Sequence, residues 1–317
     1  MKYRSTWLVA NNLKVKLDSK FEVAPGVIFR KAFKYEIERF QPIIQQMMSG
    51  NLGWIPPFEF DWIPQTSGDG YTSRIIENPK MWKYWVLSEE GGGITPHELQ
   101  KVMNITSPEL DLSIRLMFSI ENRKRFNSGY SPGQYYIGDK HWGMGSRQME
   151  SEVLTADILE GIRTFFKRMK NLEESHPFVG KALTKFNDLR SIPHNSDMRT
   201  VGYFSVIEGL ITHQPRLNES LDSITHQLKN KIVLLNKRFD TPLAISSLFG
   251  NISEKNVWSK MYGYRSKIAH GDIPDFGKEF MVLKDRETVN SFLHQVCKAL
   301  LRFGLDEPVF LEDLKEC

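Results

Sequence analysis

The second half of the chain repeats one pattern six times: apolar residues recur every three to four positions, the spacing of a helix that buries one face. Val153, Ile158, Ile162, Phe165 and Met169 form the first such face, and Val179, Ala182, Leu183, Phe186 and Leu189 the second. Val201, Phe204, Ile207 and Ile211 form the third; Leu221, Ile224, Leu228, Ile232 and Leu235 form the fourth. Residues 253–270 give a fifth, and Val289, Phe292, Leu293, Val296, Leu300 and Phe303 a sixth. Between them lie short stretches carrying Pro177, Pro193, Pro215, Pro242 and Pro274, residues that end helices rather than continue them. Faces of this kind are stable only against one another, so the pattern predicts an all-α bundle from about residue 151 to the end.

The first half reads differently. "STWLVANN" and "LKVKL" are short runs bounded by Asn11-Asn12 and Asp18-Ser19, consistent with a hairpin. A second pair, 21–23 and 27–30, flanks Pro25-Gly26, a turn dipeptide. Residues 33–48 carry Ile37, Phe40, Ile44 and Met47 at helical spacing, with Pro42 predicting a kink or a break. Residues 50–80, rich in proline, read as irregular structure or short edge strands, and "MWKYWVL" as a strand. Thr95-Pro96-His97-Glu98 is a helix start, with proline first and acid in the first turn. Residues 109–121 alternate as a strand does, and 127–145 read as loop, with a strand at 134–137. The expected class is α+β: a β-rich domain over 1–150, then a helical bundle over 151–317.

Composition limits function by exclusion. At 317 residues, 40% hydrophobic and 25% charged, the chain has the balance of a water-soluble protein of two domains. No apolar run is long enough to span a membrane, and the N-terminal charges interrupt any secretory signal. Cys297 and Cys317 alone give no disulfide framework, so the reducing cytoplasm is the expected setting. The histidines show no close metal-ligand spacing, which predicts no metal and no cofactor. Gly91-Gly92-Gly93 lacks the Gly-Lys-Ser/Thr of a phosphate loop and reads as a flexible turn. The net charge of +4 permits a polyanionic partner without requiring one; Arg123-Lys124-Arg125 and Lys229-Asn230-Lys231 are steering patches or solvated faces.

The chemistry concentrates at the end of the fifth helical segment, in Gly263-Tyr264-Arg265-Ser266-Lys267-Ile268-Ala269-His270-Gly271-Asp272. On a helical projection Val257, Trp258, Met261, Tyr262, Ile268 and Ala269 share an apolar stripe, with Arg265 inside it. Guanidinium keeps its charge, so an inward arginine needs a partner or a cleft. Glu208, at the edge of the third apolar face, has the matching need: either the two pair, or Glu208 faces solvent at the edge of the bundle. His270 closes the helix before Gly271, a residue suited to a left-handed cap. Read alone, these basic residues also suit the negative end of a helix dipole.

"YRSKIAHGD" near a helix end, with "YFSVIEGLITH" one helix earlier, resembles the signature of HEPN domains (higher eukaryotes and prokaryotes nucleotide-binding), closest to their Apea-like branch. The resemblance covers about residues 150–310. It implies a metal-independent endoribonuclease acting as a homodimer on RNA, in a prokaryotic toxin, stress or phage-defence setting. Arg265 and His270 would be catalytic and Glu208 supporting. Ser266, Lys267 and Tyr264 are candidates for RNA contact, against surface or packing roles for each. The same resemblance also admits a non-catalytic module that binds nucleotide or RNA, or dimerises.

Overall fold

A computed structural model of the chain describes residues 5–10, 14–48, 62–66, 68, 72–76, 80, 83–91, 93–107, 112, 116–119, 153–192, 196–215 and 223–317. Two compact units divide it, one of residues 1–103 and 110–166, the other of 104–109 and 167–317. The fold is α+β, as the two patterns of the sequence imply.

The first unit is built on an antiparallel sheet. Strands β1 (Ser5–Ala10), β3 (Phe21–Ala24), β4 (Val27–Lys31), β7 (Trp85–Glu89) and β8 (Leu116–Ser119) lie in the order β3-β4-β7-β1-β8. β7 is the middle strand and is buried at all its positions. Pro25-Gly26 does turn β3 into β4, and Gly26 takes the positive φ of 71° that such a turn demands. The hairpin expected from "STWLVANN" and "LKVKL" does not form. β1 pairs with β7 and β8, whereas β2 (Lys14–Lys16) pairs in parallel with β9 (Val153–Thr155). Short strands carry too little pattern to name their partner; long-range burial of Trp7, Leu8 and Val9 decides it.

The proline-rich stretch supplies one antiparallel pair, β5 (Trp62–Thr66) and β6 (Thr72–Ile76). Helix α1 (Lys34–Met48) continues through Pro42. Helix α2 (Pro96–Met103) starts as its sequence predicts: the Thr95 hydroxyl accepts from the Glu98 N–H, and the Glu98 carboxylate accepts from the Thr95 N–H, a reciprocal cap. The strand expected at 134–137 and the Arg123-Lys124-Arg125 patch lie outside the described residues.

An ion pair anchors this unit. Glu36 is fully buried and accepts from both terminal nitrogens of Arg30 (2.8 Å each), from the Thr6 hydroxyl (2.9 Å) and from the Phe33 N–H at the start of α1 (2.7 Å). Arg30 also donates from Nε to Ser88 in β7. One carboxylate thus ties β1, β4 and the first turn of α1.

Helix α3 (Ala156–Ser175) begins in the first unit and ends in the second. Its buried face is Leu159, Ile162, Phe166 and Met169, one residue out of phase with the expected Ile158 and Phe165. The adjacent apolar pairs 158–159 and 165–166 satisfy either phase; packing chooses.

The second unit continues with α4 (Pro177–Asp188), α5 (Asp197–Ile211), α6 (Ile224–Asn236), α7 (Ile245–Phe249), α8 (Glu254–His270), α9 (Arg286–Asp306) and α10 (Pro308–Glu316). α5 is its hub, packing on α4, α6, α8, α9 and α10. Its sequence explains that place: Tyr203, Phe204, Val206, Ile207, Leu210 and Ile211 are buried and cover most of its circumference. Burial of each such side chain contributes about 1.5–3 kcal/mol. The Ser196 hydroxyl caps α5 by accepting from the Met198 N–H, and Asp285 caps α9 by accepting from the Thr288 N–H. Cys297 is buried in α9 and Cys317 is exposed; both are free. Among the described residues no helix is long and apolar enough to cross a membrane.

Candidate functional site

α8 runs across α5 and ends at His270. Gly271 follows with φ 81° and ψ 12°, the left-handed conformation. Its N–H donates to the Ile268 carbonyl, and the Asp272 N–H reaches back to the Lys267 carbonyl, each at 3.0 Å. This is a Schellman cap, and it fixes His270 as the residue on which the helix stops. A Cβ on Gly271 would meet no atom, so the demand there is conformational alone. Gly271→Ala is expected to lower stability by about 1 kcal/mol, and Gly271→Asn by less, since asparagine tolerates the left-handed region. Denaturant titration of the three proteins checks the order.

The apolar stripe of α8 is narrower than its sequence suggests. Val257, Trp258, Met261 and Tyr264 are buried; Tyr262 and Ile268 are half-buried and Ala269 is exposed. Tyr262 and Ala269 sit at the stripe's edge, and the last turn carries Ile268 and Ala269 past the packed core.

Arg265 and Glu208 do come together. Arg265 Nη2 lies 3.6 Å from Glu208 Oε1, with the two side chains 26% and 23% exposed. The contact is an ion pair too long for a hydrogen bond. Glu208 Oε1 and Arg265 Nε are both buried atoms without a hydrogen-bond partner. The guanidinium also lies over the Tyr262 ring, 5.5 Å from its centroid, and that ring stands edge-on to Phe204 of α5 at 5.9 Å. Arg265 is therefore oriented from two sides while part of it stays open to solvent.

Burial pushes the Glu208 carboxyl above its usual range, against the opposing pull of Arg265 and then of Lys185. Burial, helped by the Glu208 charge, likewise raises the Tyr262 phenol. The folded state thus holds the Glu208 proton more tightly than the unfolded state does. Its contribution to stability is fully present below the unfolded value near 4.5 and is lost as pH rises through the higher folded value. Wild type is accordingly expected to gain in melting temperature on Glu208→Gln as pH is lowered from neutrality. A difference that does not change with pH would contradict this.

The remaining sequence candidates divide. His270 is exposed and five residues beyond Arg265, about 7.5 Å further along the axis and about 140° around it. Ser266 is half-buried. Lys267 forms an ion pair with Glu279, whose hydrogen bond raises the lysine's pKa. Tyr264 requires correction as an RNA contact. It is fully buried, its ring packs on Phe276 and Phe280, and its hydroxyl donates to Asp197 at 3.4 Å. Burial first, and the Asp197 charge second, push its phenol up to about 12. A nucleobase has no face of this ring to stack on. Lys231, of the second basic patch, is also buried and donates to the Lys315 carbonyl.

The structure adds Lys185, which no pattern in the sequence singles out. It is an exposed residue of α4 whose Nζ donates to Ser205 Oγ (3.3 Å), one turn before Glu208 on α5. Its nearness to Glu208 is tertiary, and a helical projection of either segment holds no sign of it. Among the described residues no group of three or more His, Cys, Asp or Glu side chains is gathered to hold a metal.

No family model, curated protein or solved structure matches this chain. The site consists of an oriented guanidinium beside a half-buried carboxylate, and an exposed imidazole where the same helix stops.

Proposed function

We propose that this chain is an endoribonuclease of HEPN type, which cuts RNA by attack of its own 2′-OH and needs no metal. The observation that carries the reading is the Arg265–Glu208 pair, which orients one cation on α8 while His270 stays exposed at that helix's end. The reaction requires a base for the 2′-hydroxyl proton, an acid for the leaving 5′-oxygen, and positive charge on the phosphorane between them. Imidazole titrates near neutrality and fills either proton-transfer role. Guanidinium offers planar paired donors to phosphate oxygens.

One imidazole does not serve as acid and base in the same step. A symmetric homodimer that brings two α8 ends to one cleft supplies both. The products are a 2′,3′-cyclic phosphate and a 5′-hydroxyl. The resemblance of residues 150–310 to HEPN domains supports the same reading and suggests a toxin, stress or phage-defence setting in a prokaryote.

A second reading is a non-catalytic module that binds nucleotide or RNA, or dimerises, through the same residues. The Glu208 carboxylate favours it, since it already offsets part of the Arg265 charge. Incubation with RNA in excess EDTA separates the two. Cleavage by wild type, absent from stability-matched Arg265→Ala and His270→Ala, supports the enzyme. Equal traces in all three proteins would mark contamination and leave the binding module.

A further inference from the structure

Three helices meet at one junction: Lys185 of α4 bonds Ser205 one turn before Glu208 on α5, and Arg265 of α8 faces Glu208 at 3.6 Å. Two of its members have unmet hydrogen-bonding capacity: Arg265 Nε is a buried donor without an acceptor, and Glu208 Oε1 a buried acceptor without a donor. Buried polar atoms of a folded protein are nearly always satisfied, yet the Arg265 Nε donor lacks an acceptor, and Glu208 does not supply one. The 3.6 Å gap between the partners shows that Glu208 answers Arg265 by charge and not by a bond. Two cations around one carboxylate also leave one positive charge at this junction. Lys185, exposed and resting on the neutral Ser205 hydroxyl, is the cation that can be spared. An ammonium on a four-carbon stem moves readily to an anion, and a serine hydroxyl beside it offers that anion a donor.

We propose that Lys185 and Ser205 form a phosphate-binding subsite beside Arg265, which takes a backbone phosphate of a single-stranded RNA. The inference rests on the reading of Arg265 as a residue that meets RNA phosphate, and it adds a contact from α4 that neither motif contains. Lys185 is a positioning residue: it holds the strand and takes no proton from it. Its loss therefore acts on binding and not on the chemical step.

The test is binding of a short fluorescein-labelled single-stranded RNA to full-length His270→Ala protein, read by anisotropy over a series of salt concentrations, with and without Lys185→Ala. Removal of one phosphate contact is expected to weaken binding several-fold and to make the slope of log K against log salt shallower by about 0.7. Lys185→Arg is expected to restore both, and Ser205→Ala to weaken binding less. In proteins with His270 intact, Lys185→Ala is expected to raise KM with kcat within about twofold. An unchanged slope and affinity in Lys185→Ala, with Arg265→Ala still weakening binding, would overturn the subsite and leave Lys185 as a counter-charge to Glu208. If wild type fails to cut RNA while binding still depends on Lys185, the ribonuclease reading falls and the subsite stands. Because Lys185 is exposed, its variants keep the fold, and circular dichroism verifies this.

Discussion

His270→Ala is expected to lower the rate of RNA cleavage by about two to four orders of magnitude, the contribution of a positioned acid or base. The side chain is exposed, so the variant should fold as wild type does. Arg265→Ala is expected to cost about 10²–10³ in kcat, as loss of a donor to a developing oxyanion does. Arg265→Lys should recover little, because an ammonium cannot supply the planar paired donors or the stacking on Tyr262. Single-turnover rates of the purified proteins check all three. A His270→Ala rate within a few-fold of wild type would remove the imidazole from the reaction.

The largest expected effect on stability lies in the first unit. Glu36→Ala strands the Arg30 guanidinium in the sheet, where its side chain is only 7% exposed. It also leaves Thr6 and the Phe33 N–H without their carboxylate acceptor. Breaking a buried pair from one side costs about 3–5 kcal/mol, more than absence of the pair itself. The double change Arg30→Met with Glu36→Leu is expected to regain much of that loss. Because the chain has two units, amide hydrogen exchange in β4 and β7 is the appropriate readout; a global melting curve mixes both. Protection in those strands equal to wild type would show that the carboxylate is not what ties them.

Legibility in the sequence follows the range of the interactions concerned. Helices bury faces through residues three or four apart, so the bundle is written locally: Val179, Ala182, Leu183, Phe186 and Leu189 are all buried as their spacing implies. Where the sequence offers doubled apolar residues, as at 158–159 and 165–166, spacing leaves the phase open and neighbours settle it. The caps at Thr95–Glu98 and Gly271 were readable because they join residues a few positions apart. β1 finds β7 some eighty residues away, and nothing in "STWLVANN" names that partner.

The candidate site shows the same division. Arg265, His270 and Glu208 could be singled out because charge on or beside an apolar stripe is locally visible. Spacing left Tyr264 open between RNA contact, surface and packing, because the loop that buries it, with Phe276 and Phe280, follows the helix and has no helical period of its own. Lys185 sits on an ordinary solvated face until α4 packs on α5.

We propose that RNA is cut by its own 2′-hydroxyl, with Arg265 on the phosphate and His270 moving the proton. The most direct measurement is end-group analysis of a wild-type digest in excess EDTA, beside the same oligonucleotide carrying a single 2′-deoxy residue at the cut site. The expected result is 2′,3′-cyclic phosphate ends from the first and no cut at the substituted position in the second. Cleavage that proceeds equally through the 2′-deoxy position, or that leaves 3′-hydroxyl ends, would contradict it.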